Sequence, residues 1–123
     1  MRILVIDDEA EVREITKELL RFLGHEVITA ECGEAGIKLV QSGLPDLVIT
    51  DLNMPRMNGI QVIESTRLAS KTVPIILYSG NSENWQEQGL RAGANATLSK
   101  PYTINEMRSA IKIAMESRFA AVV

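Results

Sequence analysis

A single cysteine, Cys32, stands in 123 residues, so no disulfide can form within the chain, which suits a reducing cytosol. Histidine is as scarce: His25 is alone, and with one cysteine it cannot complete a His/Cys metal site. His25 is therefore read as a turn residue and Cys32 as a small hydrophobe. No apolar stretch approaches the roughly 18 residues of a membrane span. The apolar run at the N-terminus, Ile3 to Ile6, is too short for a signal peptide and ends in two acids. There is no basic excess. Thirteen Lys and Arg face sixteen Asp and Glu, a net charge of −3, which argues against direct nucleic-acid binding. A cytoplasmic protein with no membrane partner is expected.

What is present fits one domain, 1–123, with an apolar fraction of 46%. Such a chain can bury about two thirds of its unfolded surface and needs no metal or disulfide to fold. Five short apolar runs recur: Ile3–Ile6, Val27–Ala30, Leu47–Thr50, Ile75–Tyr78 and Ala96–Leu98. The first, third and fourth are continuous and rich in β-branched residues, as in parallel strands covered on both faces. The mixed run at 27–30 belongs nearer an edge.

Helical patterns lie between the runs. Val12, Ile15, Leu19, Phe22 and Leu23 share a helical spacing that Gly24 stops. Ala35, Leu39 and Val40 mark a second helix; Ile60 and Ile63, opened by Asn58-Gly59, a third. A fourth, Trp85 to Ala92, is weakened by Gly89, and Trp85 is read as packing it. The fifth carries Ile104, Met107, Ile111, Ala114 and Met115. Five β-α repeats without a linker imply an α/β fold with a parallel sheet and right-handed crossovers. The order of strands stays open between Rossmann-like and flavodoxin-like.

The chemistry sits just after the strands. Asp7-Asp8 follow the first, Asp51 the third, Ser79 the fourth and Lys100 the fifth. The carboxyl ends of parallel strands share one rim, where ligands bind. An acid or a serine after a strand is by itself most often a cap or a turn residue; the coincidence of these positions on one rim sets them apart. Carboxylates gathered there repel one another and call for a proton or a cation. Mg²⁺ suits all-oxygen ligands and bridges to phosphate. A metal and a lysine beside a carboxylate nucleophile are the parts of assisted phosphoryl transfer.

From Ile3-Leu4-Val5-Ile6-Asp7-Asp8-Glu9, through Asp51-Leu52-Asn53-Met54-Pro55-Arg56-Met57-Asn58-Gly59, to Lys100-Pro101-Tyr102, the sequence resembles the receiver domain of bacterial two-component response regulators. The resemblance covers the whole chain, and Asp-x-x-Met-Pro-x-Met-x-Gly after an apolar strand is highly specific. It implies a flavodoxin-like (βα)5 sandwich with strand order 2-1-3-4-5 and a cis Lys100-Pro101 bond. It implies Asp51 as phosphoryl acceptor, and Asp8, Asp51 and the Asn53 carbonyl as ligands of Mg²⁺ (or Mn²⁺), with Asp7 acting through a metal-bound water. Ser79 and Lys100 would contact the phosphoryl group, and Asn53 and Asn81 would tune its lifetime. The donor would be a sensor histidine kinase or a histidine phosphotransfer domain. The signal would leave through the fourth helix, fifth strand and fifth helix.

One position departs from the pattern. Receivers usually carry an aromatic residue three positions before the lysine, and Thr97 stands there. Thr97 supplies no ring, which leaves the relay open while the chemistry stands. Two other classes compete. A haloacid-dehalogenase-type phosphatase normally has a second acid two residues after its nucleophile, where this chain has Asn53. A pseudo-receiver would not need the full set of acids, Ser79 and Lys100.

Overall fold

The computed structural model describes residues 1–80 and 84–120, the last three of these by backbone alone. Strands and helices alternate: β1 (Arg2–Ile6), α1 (Ala10–Phe22), β2 (Glu26–Ala30), α2 (Gly33–Gln41), β3 (Leu47–Asp51), α3 (Gly59–Ala69), β4 (Ile75–Ser79), α4 (Trp85–Ala92), β5 (Ala96–Ser99) and α5 (Ile104–Ala120). The strands pair in parallel in the order β2-β1-β3-β4-β5, the flavodoxin-like arrangement. The mixed run forms β2, at an edge as its composition required.

Successive strand residues point to opposite faces, so one sheet feeds two cores. Ile3, Val5, Leu47, Ile49, Ile76 and Tyr78 pack toward α1 and α5, meeting Leu20, Met107 and Ala114. Leu4, Ile6, Val48, Ile75 and Leu77 pack toward α2, α3 and α4, meeting Val40, Val62, Ile63 and Trp85. Three layers result.

Side chains close two helix starts. Asn58 and Gln61 exchange bonds in a capping box that opens α3. Thr103 and Glu106 do the same before α5. Asn84, ahead of α4, is left-handed at φ 57° and makes no side-chain cap among the described residues.

Two readings of the helices need correction. Ile15 and Phe22 do not join the core: they are 64% and 79% exposed. Thr16 and Leu20 are buried instead, and Val12, Leu19 and Leu23 are partly covered. On that inward stripe the buried Thr16 hydroxyl pairs with the distant hydroxyl of Tyr102 at 3.0 Å. Gly89 is not merely a weak point of α4. A Cβ there would sit 2.5 Å from Leu77 Cδ2, so glycine lets the helix lie directly on β4.

Arg67 ties the lower end of the molecule together. Its guanidinium donates to the carbonyls of Gly93 (2.9 Å), Ser70 (3.2 Å) and Val73 (2.7 Å) and to Asn95 Oδ1 (2.7 Å). Asn95 also accepts from the Ile75 N–H at 2.9 Å, so α3, β4 and the turn after α4 share one clamp. Replacing Arg67 by Met keeps the stem and strands these acceptors. Arg67→Met should lower stability by about 1–3 kcal/mol, read from urea melts with an unchanged slope. Arg67→Lys should recover little, because an ammonium lacks the planar fork. An unchanged midpoint in the Met variant would remove the clamp from the fold's support.

Candidate phosphoryl-acceptor site

The carboxyl ends of β1, β3, β4 and β5 meet at one rim. Asp7 follows β1 directly and is fully buried. Its N–H donates to Ala30 O, and the Arg13 guanidinium donates to its carbonyl at 2.7 Å. The Glu9 N–H donates to Asp7 Oδ1 at 2.9 Å, and the Tyr78 hydroxyl to Asp7 Oδ2 at 2.6 Å. Asp51 ends β3 and is only 4% exposed. Asp8 is exposed, yet one oxygen of each of Asp7, Asp8 and Asp51 lies within 4.8 Å of the others. Lys100 Nζ stands 3.2 Å from Asp51 Oδ1, 3.5 Å from Asp7 Oδ2 and 4.2 Å from the centre of the Tyr78 ring. Ser79, Asn53, Glu9 and Gly80 complete the lining of an open cleft of about 310 Å³ around Asp51 and Lys100.

Local sequence explains the placement. Gly59 starts α3 against the end of β3, where a Cβ would collide with the Asp51 carbonyl and the Leu52 backbone. The Gly59 N–H donates to Leu52 O at 2.8 Å, closing the loop that carries Asn53. On the other side the Lys100 N–H donates to Ser79 O at 2.9 Å, and the Lys100-Pro101 bond is cis.

Residues 3–112 match the model of the response regulator receiver domain. The chain belongs to the receiver domain family. It is 37% identical over 108 residues to response regulator MprA of Mycolicibacterium vanbaalenii, covering 87% of this chain and 47% of that protein. It is 32% identical over 114 residues to transcriptional regulatory protein DltR of Streptococcus agalactiae, covering 92% and 51%. The chain thus spans about half the length of these relatives. A response regulator receiver domain protein from Clostridium thermocellum superposes with a TM-score of 0.89 at 29% identity, covering 99% of this chain and 98% of that one. Chemotaxis protein CheY4 of Vibrio cholerae gives 0.85 at 26% identity, covering 92% and 97%. Receiver domains serve response regulators as signalling switches, and response regulators partner with sensor histidine kinases.

This receiver domain brings Asp7, Asp8, Asp51 and Lys100 into one cluster and lines the adjoining cleft with Asn53 and Ser79. Asn81 and most of the loop between Gly80 and Asn84 lie outside the described residues, as do the last residues through Val123. Sequence reading passed over Tyr78, Arg13 and the Thr16–Tyr102 pair. A hydroxyl-bearing residue in an otherwise aliphatic buried strand was the available signal for Tyr78, because a buried phenol needs a partner.

Three carboxylates against one ammonium leave an excess of negative charge at the rim. Burial raises the Asp51 pKa above its ordinary 3.8; Lys100 pulls it down and Asp7 pushes it up again. Burial, with Asp7 beside it, drives the Tyr78 phenol far up, so it stays a donor. The donor set is all oxygen, hard and closely spaced, which fits a hard divalent ion; no imidazole or thiolate takes part.

A carboxylate whose pKa rises on folding opposes folding once it ionises. Its penalty is absent below 3.8, grows as the pH climbs to the raised value and is constant above it. In a chelator, the Asp51 contribution to stability should therefore decline with pH across that window. Asp51→Asn should flatten the decline and be the more stable protein at pH 7. Urea melts between pH 3.5 and 8 read this out; parallel curves for the two proteins would show that Asp51 carries no such penalty.

Proposed function

We propose that this chain is the phosphoryl-accepting switch of a two-component relay, with Asp51 as acceptor. The observation that supports it is the Asp51 carboxylate itself, buried to 4% exposure yet facing the cleft, within 4.8 Å of two other acids and 3.2 Å from Lys100. The donor is the phosphohistidine of a sensor histidine kinase or histidine phosphotransfer domain. An Asp51 oxygen forms the new bond to phosphorus as the bond to the donor imidazole breaks, leaving an acyl phosphate. Lys100 moves its charge from the carboxylate to a phosphoryl oxygen, and the Ser79 hydroxyl hydrogen-bonds another.

Asp8, Asp51 and the Asn53 carbonyl would hold Mg²⁺ (or Mn²⁺), with Asp7 acting through a water. The ion would neutralise charge on the phosphoryl oxygens. Asn53, exposed beside the cleft, and Asn81 tune access of water to the acyl phosphate. The chain turns over no outside substrate.

The response runs through α4, β5 and α5. Ser79 ends β4 next to the α4 loop, and Lys100 follows β5. α4 enters through left-handed Asn84 without a side-chain cap among the described residues. Thr97 lines a groove with Leu98 and Ile113 but offers no ring to swing.

Acetyl phosphate with Mg²⁺ should add one phosphoryl group, detected by mass spectrometry, and Asp51→Asn should accept none. Asp8→Ala should need at least about tenfold more Mg²⁺ for half-maximal labelling. A labelled Asp51→Asn protein would reject the assignment. Beryllofluoride with Mg²⁺ should change Trp85 fluorescence and the amide shifts of α4 more than those of α1; changes confined to α1 and α2 would exclude this output face.

A further inference from the structure

The proposed chemistry does not use Tyr78, yet that residue touches two of the groups that do. Tyr78 is fully buried in the centre of the sheet, among Ile76, Leu98 and Met107. Every other residue of β4 before Ser79 is aliphatic, so packing alone asks for no hydroxyl there. The phenol crosses to the acid cluster and donates to Asp7 Oδ2 at 2.6 Å, a short bond to a charged acceptor. The Glu9 N–H holds the other oxygen, Oδ1, at 2.9 Å. With both oxygens tied from different elements, the Asp7 carboxylate cannot rotate freely.

The same ring carries Lys100. Its ammonium lies 4.2 Å from the ring centre, while it reaches Asp51 at 3.2 Å and Asp7 at 3.5 Å. An aromatic face attracts a cation within about 6 Å without competing for its hydrogen-bond donors. Tyr102 does not duplicate the arrangement: its ring centre is 6.3 Å from that of Tyr78, and its hydroxyl pairs with Thr16.

We infer that Tyr78 is a positioning residue with two separable actions: its hydroxyl fixes Asp7 for a divalent ion, and its ring fixes Lys100 for the phosphoryl group. The inference rests on the reading of Asp51 as an Mg²⁺-assisted acceptor. Groups that orient a ligand from behind typically influence metal affinity about 10–100-fold. A cation–π contact of partly buried groups corresponds to a rate effect of several-fold or more.

Two variants separate the actions. Tyr78→Phe keeps the ring and its volume but loses the hydroxyl. Tyr78→Leu loses both. Mg²⁺ affinity is measured by calorimetry without any phosphodonor, and labelling by acetyl phosphate is timed at saturating Mg²⁺. Thermal melts confirm that each protein is folded. For Tyr78→Phe, about tenfold weaker Mg²⁺ binding is expected, with a labelling rate at saturation within about twofold of wild type. For Tyr78→Leu, the same loss of affinity is expected, joined by a labelling rate at least about fivefold lower. Unchanged Mg²⁺ affinity in a folded Tyr78→Phe protein overturns the role of the hydroxyl. Equal labelling rates for the two variants at saturation overturn the role of the ring. If wild type neither binds Mg²⁺ nor becomes labelled, the reading of the site fails and the inference falls with it. Normal wild-type behaviour with two unaffected variants sinks the inference alone.

Discussion

Three carboxylates held within 4.8 Å around a single ammonium make a demand that the rest of the molecule has to meet. Two of them, Asp7 and Asp51, are buried, so water cannot spread their charge. Charges this close and this dry repel by several kcal/mol even at an effective dielectric of about 20. The fold answers part of that demand with Lys100, the Tyr78 hydroxyl and the Glu9 N–H. The part left unmet is an excess of negative charge, which a divalent cation would offset.

Only some architectures can hold such a cluster still. Parallel strands put their carboxyl ends on one rim, and the order β2-β1-β3-β4-β5 sets β1 beside β3, β3 beside β4 and β4 beside β5. Asp7, Asp51, Ser79 and Lys100 thus come from four adjacent strand ends; β1, β3 and β4 are anchored by residues with no exposure at all, and β5 by buried Ala96 and Leu98. The chain reverses its direction of winding between β1 and β3, and the acids sit at that crevice, where open α/β sheets bind their ligands. Gly59 then admits the start of α3 against the Asp51 carbonyl, so the loop bearing Asn53 folds tightly over the same crevice.

The layers and the acid rim were legible in the sequence because both rest on short-range pattern. A continuous β-branched run reads as a buried strand whatever its partner, and Asp51 or Lys100 reads as a rim residue once its strand is found. The misreadings all involve partners distant in sequence. Nothing near Thr16 says that Tyr102 will satisfy it, and spacing alone places Ile15 and Phe22 on the apolar stripe of α1. Gly89 reads as a helix breaker until Leu77 is seen to lie where its side chain would be. Trp85, read as packing α4, is indeed buried at 4% exposure. Tyr78 fits a strand pattern perfectly well, and its hydroxyl acquires meaning only beside Asp7.

Lys100 is where the charge of the site meets the mechanics of the fold. Its backbone N–H is bonded to Ser79 O, its ammonium bridges Asp51 and Asp7, and its position is held by the Tyr78 ring. Under the proposed function, adding phosphate at Asp51 draws this ammonium outward, so β4 and β5 feel the event together. α4 hangs between those strands with unequal ends. Arg67 grips the Gly93 carbonyl just past its C-terminus, whereas its first turn starts from Asn84 with no side-chain cap among the described residues. A helix held more firmly at one end than at the other would yield at the less supported end. Under the proposed function, that end is where α4 would respond without an aromatic side chain at position 97, and the asymmetry of the helix supports would supply the direction of movement.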